Sequence, residues 1–174
     1  MFYWRITKYN PKNRDSRGVY LVDEWTSYSD IGDTRGGKTL TYEEYETIEN
    51  AYVAAILLFM ECNGVENLKI VGLERRLAFD HGDTYVTKDM KIEFLRAADS
   101  LILDKKEVDL LARLILREKL WCKLESQDMF VHFGWDYYMY IGSAHTCEKY
   151  IKEIKETGLF VEKYESPYLF DEED

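Results

Sequence analysis

Few residues in this chain could do chemistry, and they are scattered. His132 lies in Phe130-Val131-His132-Phe133, with Glu125 upstream and Asp136 downstream. An imidazole with carboxylates beside it has the make-up of a general base, so Glu125, His132 and Asp136 define a candidate pocket. No nucleophile motif accompanies them. Strand alternation places His132 on the face of Phe130, where a hydrogen-bonded structural histidine is the commoner outcome. Asp80-His81-Gly82-Asp83 has metal-ligand residue types but no second cluster at zinc or calcium spacing. Neither a metal nor another cofactor is expected. His145 follows Gly142-Ser143 at a strand-to-helix turn, where backbone N–H groups can hold an anion. A single Gly-Ser falls short of a phosphate loop, and helix capping by Ser143 accounts for it. Cys62, Cys122 and Cys147 each fall in or beside an apolar-periodic element. Their odd number and lack of metal spacing suggest buried free thiols in a reducing compartment. No catalytic residue is assigned, and a non-enzymatic role is the favoured expectation.

Aromatic and acidic side chains supply a different chemistry, that of partner binding. Trp135, Tyr137, Tyr138 and Tyr140 crowd one hairpin region, while Tyr3, Arg5 and Tyr9 share one face of the first strand. If those strands are neighbours, they form a Tyr/Arg/His platform. Such a platform can stack unpaired bases, anchor a protein partner, or lie beneath a helix. The net charge of −10 is uneven. Residues 41–67 carry six acids and no base, and residues 121–174 carry twelve acids against five bases. Such a field opposes a phosphate backbone and favours a basic protein, although net charge also serves solubility. A loop with Lys12, Arg14 and Arg17 is the basic exception. The expected partner-binding residues are Trp25, Asp30, Glu43, Glu46, Trp135, Asp136 and Tyr138. Carboxylates would steer the encounter and exposed rings would anchor it. Nucleic-acid binding is not expected. The alternatives are a nucleic-acid-mimicking inhibitor of a defence or restriction enzyme, and a small enzyme or ligand-binding domain with a pocket near His132. The oligomeric state is left open.

The element that must position these groups is a helix over residues 41–64. Thr41-x-x-Glu44 is a capping box, and Gly64 a natural stop. Tyr45, Ile48, Tyr52, Ala55, Ile56 and Phe59 recur at helical spacing, widened by Val53, Leu57 and Met60. Only Glu43, Glu46, Asn50, Ala54 and Glu61 are left for water, so this helix should be covered by several neighbours. Strands are expected at 2–9, 19–22, 67–74, 120–126, 129–133 and 159–164, with 137–141 following either a bulge or a turn at Gly134-Trp135-Asp136. Helices are expected from the Thr87 cap to about Leu101, from the Asp104/Glu107 capping box to about Glu118, and from Ser143 to about Thr157. Residues 23–39 are rich in turn-formers and form the likeliest contact loop.

These elements define an α+β protein of two small sheet-and-helix lobes around a central buried helix. Its parts are a β–α–β N-terminal part, a helical middle and a β-hairpin–α–β C-terminal part. A chain of 174 residues, 46% hydrophobic and 15% aromatic, can build one such core. The single domain is expected over 1–166, with 167–174 an acidic C-terminal tail. The apolar run 51–60 is too short to span a bilayer. The opening MFYWRITKYN lacks the basic stub and apolar run expected of a signal peptide, so the expected location is cytoplasmic.

Taken together, YWRITKYNP (3–11), DEWTSYSDIG (23–32), LTYEEYE (40–46) and FVHFGWDYYMYIGS (130–143) resemble an uncharacterised family of small cytoplasmic bacterial proteins. The resemblance spans most of the chain and implies one integral domain, with no catalytic residues to carry over. In size and acidity the chain is also similar to immunity proteins that neutralise secreted bacterial toxins.

Overall fold

In the computed structural model, which describes residues 1–76, 79 and 83–169, the central helix forms where its caps require. This helix, α1 (Tyr42–Cys62), opens with the Thr41 hydroxyl accepting from the Glu44 N–H and the Glu44 carboxylate accepting from the Thr41 N–H. Tyr45, Tyr52, Ala55, Ile56, Phe59 and Met60 are wholly enclosed. So is Glu49, a carboxylate that the apolar spacing does not announce.

Among the described residues, nine strands accompany α1. They are β1 (Phe2–Thr7), β2 (Thr34–Arg35), β3 (Lys38–Thr39), β4 (Asn67–Arg75), β5 (Ile102–Asp104), β6 (Leu120–Glu125), β7 (Met129–Phe133), β8 (Met139–Ser143) and β9 (Phe160–Lys163). The other helices are α2 (Lys88–Arg96), α3 (Lys105–Leu116) and α4 (Glu148–Glu156). Seven strands form one sheet in the order β5-β4-β6-β7-β8-β1-β9, and β2 and β3 make a separate hairpin. Each pairing in the large sheet is antiparallel. The chain is thus α+β, as its patterning indicates, with a buried helix at its centre. The two halves, however, share one sheet. The turn at 126–128, closed by Ser126 N–H to Met129 O at 2.8 Å, joins β6 to β7 and fuses them. β1 and β4 point the same way but are separated by β8, β7 and β6, so the first strand–helix–strand does not close on neighbouring strands.

Tertiary contacts override local signals at several places. The helix capped by Thr87 ends at Arg96, not near Leu101. The Ser100 N–H bonds to Ile70 O at 2.9 Å and the Asp99 carboxylate accepts from Leu73 N–H, drawing the chain into the edge strand β5. Residues 19–22 form no strand; a lone bridge pairs Arg14 with Tyr20. The first strand stops at Thr7, and Tyr9 therefore turns inward against Tyr20 and Tyr138. The basic loop is largely neutralised, with Arg14 on Glu162 at 2.9 Å and Arg17 on Asp15 at 3.1 Å.

The cysteines require a correction. Cys62 and Cys147 form a disulfide, with Cα atoms 5.8 Å apart, and Cys122 alone is a free thiol. The expected capping by Ser143 also fails, since α4 starts after Cys147 without a side-chain cap. Both differences have one cause. The Asn63 side chain at the end of α1 bonds the Ser143 hydroxyl at 2.9 Å and the Ala144 N–H at 3.1 Å, holding the 143–147 loop against the helix. Ser143 is thereby committed to Asn63 and to the His145 carbonyl, and Cys147 is brought beside Cys62.

One face of the sheet, with Met129, Val131, Phe133, Met139 and Ile141, packs into the core under the helices. The opposite face bears Arg5, Phe130, His132 and Tyr140, the expected aromatic platform. Its cover is the C-terminal segment 164–169 in place of a helix. Tyr164 lies under the Arg5 guanidinium at 4.2 Å, Tyr168 meets Tyr140 at 6.1 Å, and Ser166 is buried. Residues 167–169, assigned from sequence to the acidic C-terminal tail, are part of this strap. Among the described residues, no helix is long and apolar enough to cross a membrane.

Candidate functional site

The turn between β7 and β8 presents the most exposed large ring of the end where the sheet meets the start of α1. Gly134 N–H donates to Tyr138 O at 2.7 Å and Tyr138 N–H to Trp135 O at 3.0 Å. Asp136 (φ 52°) and Tyr137 (φ 64°) both take the left-handed conformation. Successive positive φ values are the geometry of a tight hairpin turn that Asn-Gly usually fills, and a bulky residue there is strained. Burial holds Tyr137 in place. Its ring is enclosed, and its hydroxyl lies 2.8 Å from both the Tyr45 hydroxyl and the Leu116 carbonyl. With Tyr137 pinned inward, Trp135 is 72% exposed. Asp136 is exposed beside it, and Tyr138 is half-buried against Tyr9. The side of Trp135 toward β4 carries the Arg76 guanidinium, 5.0 Å from the ring.

Residues 23–31 reach the same end. Ser27 and Asp30 form a reciprocal capping box around a single 3-10 turn, Tyr28–Asp30. The Asp30 carboxylate also accepts from the Thr26 N–H at 2.8 Å and pairs with Arg35 at 3.1 Å. Asp30 is therefore a buried organiser of the loop, not a surface contact. Trp25 likewise is no free anchor. Its ring packs on Tyr45 (5.6 Å) and Tyr137 (5.0 Å), with the Lys8 ammonium 4.2 Å above it. Glu43 is exposed on the first turn of α1, and Glu46, one turn on, accepts from the Tyr42 hydroxyl. Trp25 thus packs on the Tyr45–Tyr137 contact, and Trp135, Asp136 and Tyr138 lie on the turn that carries Tyr137. Asp30 instead organises its own loop, and Glu43 and Glu46 stand on the first turns of α1. Of the aromatic three, only Trp135 projects into solvent.

The electrostatics of this end are acidic. Burial lowers the Lys8 pKa below the ordinary lysine value, against the raising effect of Glu24, Asp30 and Asp136 around it. Lys8 pairs directly with Glu24 at 2.6 Å and meets Asp136 only as a more distant charge. A cavity of about 60 Å³ between Thr26, Tyr52, Glu118 and Trp135 has room for a water or two and no more.

Sequence reasoning missed the largest polar cluster. Glu49, 0% exposed, receives both Arg117 Nε and an Arg117 terminal nitrogen at 2.6 Å, Arg113 at 3.0 Å and the Tyr45 hydroxyl at 3.0 Å. Next to it, buried Lys119 meets Asp83 at 2.7 Å, and Tyr28 donates to Asp83 at 2.9 Å. The available signal was a Glu on the apolar side of one helix, with arginines four apart on another. Each partner is satisfied, so the cluster is a structural clamp between α1 and α3.

Two carboxylates tie stability to acid. Burial alone would raise the pKa of Asp83, yet hydrogen bonds from Lys119 and Tyr28 outweigh it and hold the group below the usual value. In Asp30, burial is likewise outweighed by Thr26, Ser27 and Arg35. A carboxyl with a lowered folded pKa stabilises the fold fully above its unfolded pKa, about 3.9, and loses that contribution as pH falls through the folded value. Urea midpoints should therefore fall below about pH 4, and less steeply for Asp83→Asn, whose own midpoint at pH 7 is already lower. A pH profile identical in the variant would show that Asp83 carries no such linkage.

At the other candidate pocket, His132 and Glu125 do meet, with Nε2 3.5 Å from the carboxylate. His132 is nearly fully buried, stacks on Phe130 at 4.2 Å and has Nδ1 2.8 Å from the Ser166 hydroxyl, beneath the C-terminal strap. Asp136 does not join them; it lines the small cavity with Thr26 and Tyr52, because the turn at 134–138 redirects the chain after β7. Asp80, His81 and Gly82 lie outside the described residues. Among the described residues, no group of three or more potential ligands is placed to hold a metal. Burial pushes the Cys122 thiol up to about 12. Cys122 should therefore resist a maleimide in native buffer and react at once in denaturant, as mass spectrometry would read; rapid native labelling would contradict its placement. Compared with family models, with curated proteins and with solved structures, the chain matches none.

Proposed function

We propose that this is a non-enzymatic acidic binding protein, of immunity or inhibitor type, whose partner is a basic protein met in the cytoplasm. One observation carries the proposal: the 72% exposed Trp135 on a turn held rigid by buried Tyr137, with Asp136 beside it. An aromatic ring presented on a stiff support needs little ordering on association, which is the character of an interface hot spot. The surrounding carboxylates supply steering toward a basic surface. A mimic of nucleic acid would need its acids in unbroken rows, whereas Arg35 and Lys38 interrupt this end; protein binding is accordingly preferred. The burial of His132 beneath the strap favours a structural part for that residue over a catalytic one.

The test is capture from a lysate of the native host at low and high salt, with Trp135→Ala alongside. Wild-type protein should retain one basic protein in stoichiometric amount, released by salt. Trp135→Ala should weaken that complex at least 30-fold, about 2 kcal/mol, without lowering its own unfolding midpoint. Recovery of the same proteins at the same strength by Trp135→Ala would overturn the assignment.

A further inference from the structure

A groove of about 540 Å³ opens on the far side of Trp25. It runs between residues 22–25, the β2–β3 hairpin and the first two turns of α1. Val22, Trp25, Leu40 and Ile48 form its floor, and Asp23, Glu24, Asp33 and Glu44 stand around it with Arg35 and Lys38. The volume falls in the range of pockets that enclose a few side chains or a small molecule.

Two independent features indicate what it accepts. First, the groove's own bases reveal the preference of its acids. Arg35 bonds Asp30 at 3.1 Å and approaches Asp23 at 3.9 Å, while Lys38 bonds Glu44 at 2.6 Å. The Arg35–Asp23 and Lys38–Glu44 pairs are solvent-exposed, so each holds the hairpin with little net energy and exchanges readily. Asp33 has no ion-pair partner among the described residues. Second, the apolar floor continues outward along the chain, where Val19 (51%), Leu21 (66%) and Val22 (47%) are exposed. Three uncovered aliphatic side chains within four residues extend an apolar surface beyond the groove.

We propose that this groove binds one short extended segment of a basic protein, carrying a guanidinium and an ammonium on either side of apolar residues. The segment's cations take over Asp23, Asp33 and Glu44 at the groove's edge, and its apolar side chains cover Trp25 and Ile48. This site rests on the binding role proposed above and gives that role a second contact, separate from Trp135.

The probe is a blocked peptide alternating leucine with arginine and lysine, titrated into the isotope-labelled full chain. The expected result is saturable shifting of the Trp25 indole and Ile48 methyl signals, with Trp135 unmoved. Asp23→Lys combined with Asp33→Lys, both exposed, should weaken binding at least tenfold and leave the remaining spectrum intact. A matched peptide with glutamate for the bases should not bind. Equal binding by the acidic peptide, shifts that miss Trp25, or indifference to the double variant would each overturn the groove assignment. Those outcomes are separable from failure of the partner capture. A partner retained through Trp135 but insensitive to the groove variants removes the groove alone.

Discussion

Replacing Glu49 with leucine is expected to lower folding stability by about 3–5 kcal/mol, the range for breaking one side of a buried ion pair. The substitution strips the carboxylate from Arg117, which is 2% exposed, and leaves a guanidinium with the Tyr85 carbonyl at 2.7 Å as its closest remaining acceptor. Arg113 suffers less, since its side chain is 19% exposed and keeps Asp109 at 2.7 Å. The loss therefore arises mainly from Arg117. Adding Arg117→Met to Glu49→Leu should restore most of the stability, because an apolar pair of similar volume escapes the cost of desolvating two charges. Urea unfolding of the two single variants and the double variant, combined as a thermodynamic cycle, measures this directly. Losses that simply add would show that Glu49 and Arg117 do not act as a pair. A conserved slope with denaturant would confirm that the native state, not the extent of unfolding, has changed.

What could be anticipated from sequence follows the range of the interaction. The capping boxes at Thr41/Glu44 and Asp104/Glu107 are complete within four residues, and both form as their spacing requires. The strands of the 129–133 hairpin and the greasy face of α1 are equally local in origin. The partner of Glu49, by contrast, lies 68 residues along the chain, and the Lys119 that meets Asp83 is comparably remote from α1. No periodicity within one helix reveals that a carboxylate on its apolar side will be met by arginines of another. Strand order suffers likewise: β1 ends up between β8 and β9, both from the far end of the chain. At the candidate site, composition drew attention to Trp25 and Trp135. It could not tell which ring would be covered. Trp25 became packing material because Tyr45 and Tyr137 meet there, whereas a positive-φ turn at Asp136-Tyr137 aimed Trp135 outward. The C-terminal strap was missed because an acidic end reads as solvated, although Tyr168 docks by its ring on Trp121 and Tyr140 and by its carbonyl on Lys123.

Removal of the Cys62–Cys147 bridge is the other large effect expected. The bond closes a loop spanning 85 residues in sequence, so chain entropy assigns it about 4–5 kcal/mol, acting through the unfolded state. The native contacts around it are independent of the sulfur–sulfur bond. Asn63 still bonds Ser143 and Ala144, and Ile151 and Ile154 still bury the inner side of α4. A Cys62→Ala/Cys147→Ala variant should therefore keep its far-ultraviolet spectrum while its urea midpoint drops, and wild-type protein in excess dithiothreitol should match it. Reductant added to the variant should change nothing. Hydrogen exchange should accelerate first in the 143–147 loop and α4, the segment that the bridge ties to α1. In a reducing cytoplasm the same two residues would stand as thiols, and the protein would run on the lower of these two stabilities. Equal midpoints for oxidised and reduced wild type would mean that the bridge constrains nothing and that the Asn63 contacts alone fix the end of α1. A partner complex insensitive to reductant, by contrast, is the expected outcome. Trp135 and the Trp25 groove belong to the turn at 134–138, the loop at 22–31 and the start of α1, whereas the bridge joins the end of α1 to the start of α4.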